Sequence, residues 1–173
     1  MGETGRGRVI PGFLIRNFEC NPDCQTDYID MCQESHFVDG WWVSRCTFNR
    51  FMNDKAFYVD QSCCFVMEGV ILNKTELFSQ YRVDTLEQLV LQMLKIRGKS
   101  FFSEFRGSFS GAYYDVEKQT WIIWTNHYGN NEVFYSDQSG MVCIGSNYWD
   151  VLSAAKSCGS VSLDENAVIS MLT

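Results

Sequence analysis

The sequence predicts an α+β domain with largely antiparallel sheets, and three observations carry that expectation. Apolar, aromatic-rich segments bounded by turn residues fall into two groups, over residues 41–72 and 108–146. An amphipathic helical stretch separates the groups, and helical periodicity returns after the second. Aromatic residues make up 15% of the chain, a richness that favours strands.

Taken in order, residues 1–10 are polar and glycine-rich, with Arg6 and Arg8, and are expected to be a flexible leader or tag. The domain is expected to span residues 11–173. Gly12–Ile15 is predicted to be a short buried strand. The stretch Asn17–Asp39 is harder to place; it holds Pro22 and several acids, and a helix is predicted near Asp27–Gln33. Strands are then predicted at Trp41–Phe48, Ala56–Asp60 and Cys63–Leu72, with a short helix at Thr75–Tyr81. The clearest helix runs from Asp84 to Arg97. Leu86, Leu89, Val90, Met93 and Leu94 fall on one face at 3.6-residue spacing. Asp84 is expected to cap it, with Glu87 completing a capping box, and Gly98 to end it. Strands follow at Ser108–Val116, Thr120–Trp124, Glu132–Tyr135 and Met141–Ser146, with turns at Asp115–Gln119 and Gly129–Asn131. Helical pattern returns at Tyr148–Lys156 and Asp164–Leu172.

Composition excludes some functions. Formal net charge is −7, the wrong sign for a nucleic-acid footprint. No apolar run reaches the ~18 residues that a spanning helix needs, and Met1–Gly5 has no signal-peptide core. A cytoplasmic protein without membrane contact is expected. The eight cysteines are then expected to be reduced thiols rather than a disulfide framework. Cys20, Cys24 and Cys32 are spaced C-x3-C-x7-C, but no second ligand pair accompanies them. No metal site is expected, because structural zinc usually takes two ligand pairs.

Four segments carry a resemblance to a family. Gly107–Asp115 (GSFSGAYYD) resembles the G-x-F-A-F-x-x-x-D strand of class II glutamine amidotransferases. Tyr128–Tyr135 (YGNNEVFY) resembles that family's D-x-x-G-x-x-P-L-Y-Y turn and strand. Met67–Asn73 (MEGVILN) resembles N-G-E-I-Y-N, followed by Glu76-Leu77 and a helix ending at Gly98. Ser146-Asn147 before a helix resembles S-E-x-K. No one motif is specific; their order over residues 41–157 carries the resemblance. The nearest patterns are those of asparagine synthetases and similar amide-forming ligases. The resemblance implies an αββα four-layer sandwich of the N-terminal-nucleophile hydrolase type. It also implies a synthetase domain in cis or in trans that uses ATP and Mg, with no cofactor in this domain, so the chain is expected to be part of something longer.

In that family the thiolate of an N-terminal cysteine attacks the side-chain amide of glutamine, with its own α-amine as proton carrier. Here Gly2 follows Met1, and the family's opening C-G-I/F matches Pro11-Gly12-Phe13. Proline has no thiol. The oxyanion-stabilising asparagine of N-G-E matches Glu68, whose carboxylate would repel an oxyanion; the glutamate matches Val70, and Gly69 is kept. The arginine that binds the glutamine carboxylate matches Arg45, whose guanidinium fork suits a carboxylate; an ordinary strand ion pair is the alternative. The acid that binds the glutamine ammonium matches Asp84, though an ungapped count back from Gly98 lands on Leu86, and a helix cap explains Asp84 as well. His36 and His127 form no recognisable Ser-His-Asp set.

The expectation is a degenerate glutaminase-type domain with no catalytic residue, and with Arg45, Gly69 and Asp84 as a remnant of a pocket for glutamine or another amino acid. Its role would be structural or regulatory beside an asparagine synthetase-like domain. One alternative is an active glutamine-hydrolysing domain, in which residues 1–10 are a tag or propeptide and Pro11 replaces a native cysteine. Another is a protein-interaction module, homodimeric or otherwise, using the Asp164–Leu172 helix.

Overall fold

The computed structural model describes residues 11–19, 30–50, 52–159 and 161. Nine strands and three α-helices occur among them, in the order β1 (Gly12–Arg16), β2 (Met31–Val38), β3 (Trp41–Phe48), β4 (Ala56–Val59), β5 (Cys63–Ile71), α1 (Lys74–Tyr81), α2 (Leu86–Arg97), β6 (Gly107–Asp115), β7 (Thr120–Thr125), β8 (Phe134–Gln138), β9 (Met141–Gly145) and α3 (Tyr148–Cys158). Two antiparallel sheets result, ordered β2-β3-β1-β9-β8 and β4-β5-β6-β7. The predicted leader, Cys20, Cys24 and the predicted Asp164–Leu172 helix lie outside the described residues.

The period-two alternation of the strands decides the layering. Phe13, Ile15, Val43 and Ile144 of the first sheet meet Cys64, Val66, Ala112 and Tyr114 of the second, filling the space between the sheets. The other face of the second sheet presents Phe65, Met67, Phe109 and Trp124, which α1, α2 and the 3-10 stretch Gly98–Glu104 cover with Leu77, Leu89, Val90, Met93 and Phe101. The other face of the first sheet packs Cys143 and Leu14 under Val151, Ala154 and Ala155 of α3. The molecule is thus an α+β sandwich in the layer order αββα. Each fully buried large apolar side chain contributes about 1.5–3 kcal/mol, and Phe13, Phe65, Phe101, Met67, Leu89 and Met93 all reach that state.

Three local expectations need correction. The predicted helix near Asp27–Gln33 gives way, in its described part, to β2 from Met31. The cause is the Asp39-Gly40 turn, where both residues take positive φ, 47° and 85°. That geometry matches the twist of a hairpin, and it pairs β2 with β3 along their whole length, Met31↔Phe48 to Val38↔Trp41. The cap of α2 is Thr85, not Asp84. Thr85 is extended (φ −127°, ψ 159°) and its Oγ1 accepts from Gln88 N at 3.3 Å. Gln88 Oε1 in turn accepts from Asp84 N at 3.1 Å, so Gln88 takes the role expected of Glu87. The shift by one residue lets Leu86 open the buried stripe as the first helical residue. Predicted strand Glu132–Tyr135 is displaced to Phe134–Gln138, because the Ser139-Gly140 turn sets the β8–β9 register. Among the described residues no helix is long and apolar enough to cross a membrane.

Candidate functional site

At one end of the space between the sheets, apolar filling gives way to polar side chains. Strand β3 turns Val43 inward, and period two then turns Arg45 and Thr47 inward as well. Strand β5 does the same with Cys64, Val66 and then Glu68. Ser110 on β6 stands opposite Glu68 in register. Arg45, Thr47 and Ser110 are all buried. Pro11 immediately precedes the Gly12–Cys46 pair, where β1 meets β3 between Arg45 and Thr47.

Arg45 is held on three sides. Its Nη2 donates to Glu34 Oε2, on the facing strand. Its Nε lies 3.9 Å from Glu68 Oε1, an ion pair too long for a hydrogen bond. Its Cζ lies 5.4 Å from the centre of the Phe57 ring, within cation–π range. Thr47 Oγ1 donates to the other Glu68 oxygen at 2.9 Å. Arg45 Nε, Arg45 Nη1 and Glu68 Oε1 are buried without a hydrogen-bond partner.

Burial pushes the Glu68 carboxyl up to about 7, against the opposing pull of the Thr47 hydrogen bond and of Lys55 and Arg45. Near neutral pH the group therefore carries only part of its charge. The consequence for stability has a definite sign. An unfolded Glu68 would release its proton near 4.5, so between 4.5 and 7 the native state binds more protons than the unfolded one. Stability contributed by this group is full below that window and falls as pH rises through it, by about 3 kcal/mol in all. Glu68→Gln keeps an acceptor for Thr47 and removes the titration. Denaturant unfolding at pH 5 and pH 8 is expected to show a loss in the wild type that is smaller by about this amount in the variant. Equal losses in both proteins would place the Glu68 carboxyl in water.

The structure brings Arg45 and Glu68 together and sets Pro11 at the same end of β1. Gly69 follows on β5 with φ +123°, where any Cβ would run into the Ser108–Phe109 backbone of β6. Asp84 is elsewhere. It is exposed, in the segment leading into α2 on the outer helical layer, while Leu86, the residue of the ungapped count, is buried in that layer's core. Val70 is exposed. His127 lies exposed in the turn after β7, and His36 contacts the Phe57 ring edge-on at 5.3 Å. Ser146 and Asn147 have structural work: Ser146 Oγ accepts from Phe13 N at 2.9 Å and so anchors the start of β1, and Asn147 caps α3 by accepting from Trp149 N. A Cβ on Gly12 would lie 2.5 Å from Ser146 Oγ, so a side chain there would displace the hydroxyl that anchors Phe13 N.

Sequence reasoning missed Glu34 and Thr47. Glu34 was legible: counting back from Asp39-Gly40 as a hairpin turn places it opposite Arg45, as observed. Thr47 carried no signal beyond its place two residues after Arg45. Among the described residues no group of three or more His, Cys, Asp or Glu side chains is placed to hold a metal ion.

An αββα sandwich of two antiparallel sheets, with a polar cluster between them at the start of β1, defines the class: the layered fold of the class II amidotransferases. The model of the glutamine amidotransferase domain family matches residues 52–153, more than half of the chain, and the chain belongs to that family. Glu68, Gly69 and Asp84 fall inside the matched stretch; Pro11, Glu34 and Arg45 fall outside it. No curated protein matches the chain.

Proposed function

We propose that this is a degenerate glutaminase-type domain: it keeps the amidotransferase fold without hydrolysing glutamine, and serves a structural or regulatory role for an asparagine synthetase-like, ATP-dependent amide-forming ligase. The observation that carries this reading is Pro11. It stands at the start of β1, beside the Arg45–Glu68 pair, where the resemblance calls for a cysteine, and it supplies neither a thiol nor a free amine. The two cysteines on the neighbouring β5 do not replace it. Burial, and then nearby negative groups, push Cys63 up to about 11 and Cys64 to about 12, so both stay protonated and poorly nucleophilic near neutral pH.

The remaining pocket chemistry agrees. Glu68 contributes a carboxyl where an uncharged amide donor would stabilise an oxyanion, and losing one such donor costs about 10²–10³ in rate. The nitrogen for amide formation would then be free ammonia or another amine, used by a synthetase domain, in cis or in trans, that binds ATP and Mg. With glutamine as the sole nitrogen source the protein is expected to release no ammonia above the uncatalysed rate. Ammonia release at an ordinary enzymatic rate would defeat this reading.

A further inference from the structure

Arg45 offers more donors than the protein uses. Its side chain is 5% exposed, yet Nε and Nη1 have no hydrogen-bond partner. A buried guanidinium in that state is short of an acceptor. The Phe57 ring fixes its plane from one side. Its one hydrogen-bonded carboxylate, Glu34, is a different kind of residue: it is 40% exposed and reaches Arg45 only across the β2–β3 ladder, through Nη2. Glu34 can turn into water without breaking the core. Arg45 cannot.

We propose that Glu34 is a built-in plug, a resident carboxylate that fills a small-carboxylate site at Arg45 and keeps free amino acids out of it. An external carboxylate meeting Nη1 and Nη2 together would form a two-point contact, where Glu34 makes one. It loses in the wild type because Glu34 is tethered on the facing strand and is always present at high effective concentration. Glu68, with its carboxyl raised to about 7, is only partly charged near neutral pH, so Glu34 is the main competing anion. The inference deepens the remnant-pocket reading and rests on it.

The test is a titration of the wild type, Glu34→Ala and Glu34→Gln with formate, acetate and L-glutamine, against chloride at matched ionic strength. Thermal unfolding and calorimetry are the readouts. Removing Glu34 is expected to lower the melting temperature, and formate or acetate to restore most of the loss where chloride does not. Carboxylate affinity should exceed that of the wild type by about tenfold or more, the factor expected from one charge-assisted hydrogen bond. Glu117→Ala, at an exposed turn position, should show no such response. Glu34→Gln keeps the side chain's shape if Glu34→Ala does not fold; if neither folds, refolding in formate against chloride decides. No carboxylate-specific effect in the Glu34 variants, or an equal effect in the wild type, overturns the plug. Ammonia release from glutamine would defeat the parent reading by a separate readout and leave these titrations unchanged.

Discussion

Gly69→Ala is expected to destabilise the domain by more than about 4 kcal/mol, the range reached only by a severe backbone or core defect. The backbone there has φ +123°, outside the regions an L-residue adopts without strain. A Cβ would lie 2.2 Å from the Ser108 carbonyl oxygen and 2.6 Å from the Phe109 Cα. Both are backbone atoms, so no rotamer change relieves the contact. The two strands would have to part at Gly69↔Phe109, within the longest ladder of the second sheet and two pairs from its end at Ile71↔Gly107. That ladder carries Phe65, Met67 and Phe109 on one face and Glu68 on the other, so the core and the polar cluster would fail together. Denaturant unfolding of the variant gives the answer, and a wild-type midpoint would mean the β5–β6 register is wrong.

Arg45→Met is expected to cost about 3–5 kcal/mol at pH 8, the usual result of removing one partner from a buried ion pair. The cation faces Glu34 and Glu68, and Glu68 has no route to water comparable to that of Glu34, being 11% exposed against 40%. Without Arg45 the Glu68 carboxyl must take up a proton or remain as a buried anion. The cost is therefore expected to be smaller at pH 6, where protonation is easier. Adding Glu68→Gln should recover much of the loss at pH 8, because the neutral amide still accepts from Thr47 Oγ1. A single variant as stable as the wild type at both pH values would reduce the cluster to a surface ion pair of little worth.

Much of the fold was legible because its signals are periodic. Trp41–Phe48 alternates inward and outward residues, and Leu86, Leu89, Val90 and Met93 mark the buried stripe of α2. Strand β2 was not read because acids and Pro22 upstream obscured its weak alternation, although Asp39-Gly40 announced the hairpin. The Asp84 cap failed by one residue because Asp and Thr both cap well, and only the position of the first buried leucine separates them. The site was legible in part. Arg45 and Glu68 could be singled out by resemblance, but their contact depends on how two separate sheets stack, which strand periodicity does not encode. Glu34 became visible only with its hairpin. Asp84, marked by the same resemblance, lies on the far side of the second sheet's packing layer.

No nucleophile is expected to serve the start of β1. Intact mass of the purified protein after incubation with a diazo-ketone analogue of glutamine tests it most directly. An unmodified mass is expected, since Pro11 has no thiol, the β5 thiols are buried and protonated, and Cys46, opposite Gly12, lies between the inward-facing Arg45 and Thr47 and so on the other face of β3. A single stoichiometric adduct, blocked by excess glutamine and traced by peptide mapping to one residue, would contradict it.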